Sequence, residues 1–138
     1  MGSETERRRL RASLDRVVDD PAFLTHFYDA FLAISPEIGE VFRNTDMPGL
    51  RHKLHATLRM LILTADDEPG VSDYLHFLGR THARLHVRAE HFVLWRNALI
   101  DTLAQFDPGF DARLQSSWTR LIDDAVAAMQ AGLPGRAA

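Results

Sequence analysis

Residues 78–95 read LGRTHARLHVRAEHFVLW, and within them His82 falls at helical spacing with Val71, Leu75, Leu78 and Leu85. An imidazole on an apolar stripe needs an arrangement for both ring nitrogens, since burying a polar group unpaired costs roughly 2–7 kcal/mol. It accepts or donates hydrogen bonds, keeps one edge in water, or coordinates a metal. On these residues alone, a satisfied or half-exposed histidine and a metal ligand both stay open.

The chain has seven histidines, and three local pairs have helical spacing: His52 with His55, His82 with His86, and His86 with Glu90. A zinc or two-metal bundle would need four inward ligands from facing helices, often with a repeated Glu-x-x-His, and that repeat is absent from the sequence. Tyr28 lies in a strip with Phe23, Phe27 and Phe31, so its hydroxyl needs a partner if the strip is core. Taken singly, Tyr28 and Phe42 read as ordinary packing.

The elements that position these residues are helical throughout. Leu10, Leu14, Val17 and Val18 mark a first helix ending near Asp19, and Pro21 starts a second that carries the aromatic strip. Ser35 and Pro36 start a short helix through Ile38, Val41 and Phe42, and residues 43–49 read as a connector. Leu50, Leu54, Leu58, Leu61 and Ile62 define an amphipathic helix that the run Asp66-Asp67-Glu68-Pro69-Gly70 breaks. The His82 helix starts near Val71 and runs to about His86. Another spans residues 90–106, and Asp107-Pro108-Gly109 separates it from a last helix with Leu114, Trp118, Leu121, Ile122 and Met129. No strand pattern competes, so the expected class is all-α.

A chain of 138 residues with 46% hydrophobic and 25% charged side chains fits one domain, residues 1–138, with a sizeable core. A net charge of −3 argues against an electrostatic grip on nucleic acid or anionic lipid. No run approaches a membrane span and no secretory pattern opens the sequence, so a cytoplasmic address is expected. Ser3 with Glu6 reads either as a capping box or as part of an expression tag. With no cysteine, disulfides, thiolate ligands and covalent haem attachment through sulfur are excluded.

In combination, the stretches HFYDAFLAISPEIGEVF and THARLHVRAEHF, set in this order of helices, resemble the bacterial globins, particularly single-domain and sensor-type proteins related to the haem domain of flavohaemoglobins. The resemblance covers residues 14–129. It implies a globin fold of about seven helices packed around a b-type haem, with His82 as the iron ligand and Tyr28 as the distal tyrosine. It also places Pro36 at the family's turn proline, Phe42 against the porphyrin, and Val87 and Glu90 in the pattern after the ligand. Leu50, Leu54, Leu78, Leu85 and Val87 are then expected to line the haem, the Leu78 carbonyl to orient His82, and Arg51, Lys53, Arg84 or His86 to meet the propionates.

Three departures from the family pattern shape the expected function. Leu50 stands where flavohaemoglobin-like proteins carry a distal glutamine and many animal globins a histidine, which leaves Tyr28 as the main donor to a gas ligand. Phe92 stands where a tyrosine joins a glutamate behind the proximal imidazole, and the last helix, from about Asp111, contains no glutamate. His52 and His55 are offset from Leu50 and Leu54, so they are expected to point away from the haem.

The resemblance thus implies a haem protein that binds dioxygen and other diatomic gases reversibly, more a binder than an enzyme. Alternatives are nitric-oxide dioxygenase or peroxidase chemistry with an external reductase, and a gas sensor acting through a protein partner. A homodimer through the last two helices is left open.

Overall fold

Proline and short polar side chains set the helix starts. Asp20 accepts the Ala22 N–H at 2.9 Å just before Pro21, and Ser35 accepts the Ile38 N–H at 3.3 Å just before Pro36. Each cap satisfies a first-turn donor, and each proline occupies a position where its missing N–H costs nothing. In the same way Asp111 accepts the Leu114 N–H at 2.8 Å at the start of the last helix.

The computed structural model describes residues 4–65, 70–84 and 89–131. Among them are seven helices: α1 (Glu4–Val17), α2 (Pro21–Leu32), α3 (Pro36–Val41), α4 (Met47–Ala65), α5 (Val71–Arg84), α6 (Ala89–Phe106) and α7 (Ala112–Ala131), with no strand. The all-α class expected from the periodicity is what the chain adopts. Ser3, Leu85, His86 and Val87 lie outside the described residues, as does the side chain of Arg84.

One boundary differs from the sequence reading. Residues 43–49 were expected to form a connector, yet α4 already starts at Met47, and the Leu50 N–H bonds the Asp46 carbonyl at 2.9 Å. Pro48 and Gly49 suggest a break, but a first turn does not use the proline's missing donor.

The core collects the apolar faces of these helices. Trp118, Leu99 and Leu14 are fully buried, and the aromatic strip of α2 joins them through Phe23 and Phe27. Each such side chain contributes about 1.5–3 kcal/mol by leaving water. Phe27 meets Trp95 of α6 edge-on, with ring centroids 5.6 Å apart.

Helix α4 touches α1, α2, α5 and α7, while α5 packs most extensively on α7. Gly79 permits that last approach: a Cβ there would lie 2.0 Å from the Met129 carbonyl oxygen. The helix bearing His82 is therefore seated on α7 by the absence of a side chain.

A buried polar knot fastens α1 to the connection between α6 and α7. Asp107, 3% exposed, accepts the Ser13 hydroxyl at 2.6 Å, the Gly109 N–H at 2.8 Å and the Arg16 guanidinium. The Trp118 indole N–H in turn donates to the Ser13 oxygen at 3.1 Å. Burial pushes the Asp107 carboxyl up, but Arg16, Ser13 and Gly109 together hold it below its ordinary value.

Candidate functional site

His82 lies in the last turn of α5, half-buried. Its Nδ1 is the one sealed side-chain polar atom among the described residues that lacks a hydrogen bond. Burial lowers the ring's basicity, and the Leu78 carbonyl one turn earlier opposes this, close enough to act electrostatically yet outside hydrogen-bond geometry. The outcome is a neutral imidazole, the form that coordinates a metal. Phe92 of α6 closes one side of it, edge-on to the ring at 5.4 Å between centroids.

Tyr28, on α2, is 5% exposed and makes no hydrogen bond with any described residue. Burial pushes its phenol well above the ordinary tyrosine range, and the positive charge of Arg51 pulls slightly the other way. The hydroxyl therefore keeps its proton at neutral pH and remains a donor.

Around these two polar side chains the lining is apolar. Leu54 is buried at 4% exposure, whereas Phe42, Leu50, Leu78, Phe92 and Trp95 pack on the core with one face uncovered. Phe42, just past α3, meets Phe31 of α2 edge-on at 5.9 Å. Of these apolar residues, Phe42, Leu50, Leu54 and Leu78 are the ones the resemblance expects against a haem.

The other residues singled out from the sequence fall as follows. Lys53 is exposed on α4, as is His52. His55 points out of the site, its Nε2 lying 3.0 Å from Asp19 Oδ1 at the end of α1, which is the outward direction expected for it. Leu85, His86 and Val87 cannot be placed, being outside the described residues.

Two features escaped the sequence reading. The charge of Arg51, one of the propionate candidates, also bears on the phenol of Tyr28. His91 is buried, with Nε2 3.4 Å from Glu37 Oε1, and ties α6 to α3. The first could have been found from spacing, because residues 47, 51, 54 and 58 lie on one face of a helix.

These residues meet the requirements of a haem. The group needs one neutral imidazole, an apolar slot and a reason for the imidazole to be held dry. His82 would supply the nitrogen, and its sealed Nδ1 would then hold the ring proton, facing the Leu78 carbonyl. Among the described residues no three histidine, aspartate or glutamate side chains converge as a metal site. Two open recesses along α1 and α7, lined by Glu6, Ser116, Arg120 and Asp123 among others, share no residue with this site.

Comparison with known proteins agrees with the geometry. The globin family model matches residues 25–129. A similar solved structure is that of PA3967 from Pseudomonas aeruginosa PAO1, described as structurally highly homologous to a human hemoglobin. It is 30% identical, the match covers 92% of this chain and 97% of that one, and the TM-score is 0.85. A sequence search of curated proteins finds no match. Both the family pattern and the arrangement of helices thus run through most of the molecule, and the chain belongs to the globin family of haem-binding proteins.

Proposed function

We propose that this globin holds a b-type haem through His82 and binds dioxygen and similar diatomic gases reversibly, with Tyr28 as the donor to the ligand. The observation that supports the reading is the phenol of Tyr28, 5% exposed and without a hydrogen bond to any described residue, on a helix whose neighbouring side chains are apolar. A hydroxyl mostly removed from water gains about 0.5–1.5 kcal/mol from a ligand that accepts its hydrogen bond.

When bound, the haem would supply an iron that takes diatomic gases. The chain supplies the rest. Leu50 and Leu54 exclude water and add no second hydrogen bond. The proximal ring meets Phe92, which offers neither a donor nor an acceptor, so nothing at that position pushes the imidazole toward imidazolate. That lack favours reversible binding over oxygen activation and argues for a carrier or sensor rather than a dioxygenase or peroxidase.

Visible absorption spectra of the purified protein in ferric, ferrous and oxygen-exposed forms test this reading, repeated with Tyr28→Phe. The variant should keep its haem and release dioxygen about tenfold faster, the size of one lost hydrogen bond to a partly charged acceptor. Unchanged release would remove Tyr28 from the role.

A further inference from the structure

Two consecutive residues at the start of α6 reach two different elements. His91 meets α3, its Nε2 lying 3.4 Å from Glu37 Oε1, and Phe92 stands edge-on to His82 of α5 with 5.4 Å between ring centroids. Side chains one position apart on a helix point about 100° from each other, so a rotation of this turn that displaced one would displace the other.

Neither end of that link sustains itself. His91 and Phe92 lie among the first four residues of α6, where backbone N–H groups have no intrahelical acceptor. Helix α3 has six residues, too few to persist without packing, and it is held by the Ser35 cap, by buried Ile38 and by Glu37. Its far end is capped by Phe42, which meets Phe31 of α2 edge-on. The histidine is also not what stability alone would select. Its side chain is 9% exposed against 54% for Glu37, so the imidazole bears most of the burial. A leucine would fill that space with no partner to satisfy, and apolar replacement of a buried pair is often neutral or stabilising. A hydrogen-bonding ring adds direction instead: it fixes where the turn that carries it must sit.

We infer that His91 is a positioning residue, which through Glu37 clamps the first turn of α6 to α3 and so holds Phe92 against the His82 imidazole. The inference rests on the haem reading above, in which Phe42 at the end of α3 lies against the porphyrin. One clamp then ties the aromatic ring behind the proximal imidazole to the one on the porphyrin plane, and it sets both the retention of haem and the alignment of the proximal ring.

The test uses the haem-loaded full chain as wild type, Glu37→Ala, His91→Leu, the double variant and His91→Gln. Haem loss to excess apomyoglobin, the iron–histidine stretching band of the ferrous protein by resonance Raman, and urea unfolding are measured on each. Haem loss should speed up about fivefold in each single variant, the size of one lost hydrogen bond to a charged group. The double variant should match the single ones, since both changes break the same contact. The Raman band should shift or broaden in Glu37→Ala and His91→Leu and return in His91→Gln, which keeps an N–H donor, while the urea midpoint of Glu37→Ala stays near that of wild type. Glu37→Ala, at an exposed position, carries the test by itself if His91→Leu does not fold. Haem loss in the double variant equal to the product of the single effects would overturn this inference alone, as would an unmoved Raman band in Glu37→Ala. Failure of the wild type to take up haem would overturn both this inference and the reading beneath it.

Discussion

The ring of Phe92 stands nearly perpendicular to that of His82, at 85° with 5.4 Å between centroids. An edge-on aromatic contact fixes the orientation of the imidazole by shape without altering its charge. Phe92→Ala should therefore loosen the proximal side: haem dissociation, followed by transfer to excess apomyoglobin, should speed up by about tenfold, matching a loss near 1.4 kcal/mol for a half-buried ring. A dissociation rate equal to wild type would show that the contact does not hold the imidazole.

The seat of α5 on α7 depends on Gly79. Alanine there would place its Cβ 2.0 Å from the Met129 carbonyl oxygen, a rigid backbone atom, so the helices must separate. Overpacking of this kind costs about 1–3 kcal/mol. Gly79→Ala should lower the thermal midpoint by several degrees and also speed haem loss, since α5 carries His82. Full stability with normal haem retention would contradict the close approach.

Acid stability should depend on Asp107. Its carboxyl is held below the ordinary aspartate value of about 3.9, so it binds fewer protons folded than unfolded as pH falls. The stabilisation is fully present above that ordinary value and is lost as pH drops through the lower folded one. Asp107→Asn should cost about 2 kcal/mol at pH 7, less than a fully buried pair because the Arg16 side chain is 36% exposed. Urea unfolding from pH 6 to pH 3 should give a shallower decline for the variant. Parallel declines would separate Asp107 from acid unfolding.

Much of this architecture was readable in the chain itself. Pro21, Pro36 and the caps before them mark helix starts by local chemistry, and the apolar periodicity of α4 and α7 needs no tertiary context. The start of α4 was misread because Pro48 and Gly49 signal a turn by residue type, whereas their effect depends on which helical turn they occupy. His82 and Tyr28 were visible as polar groups on apolar stripes. The influence of Arg51 on Tyr28 was not, because the two residues lie on different helices. A sequence shows that a charge is present, but only the packing shows which group it acts on.

Coordination through His82 is tested most directly by His82→Gly, which empties the proximal position, with free imidazole added back. The account expects the variant to lose stable haem or show a changed visible spectrum, and added imidazole to restore the wild-type ferrous bands by occupying the vacated space. A His82→Gly protein that keeps its haem with the wild-type spectrum, and does not respond to imidazole, would contradict it.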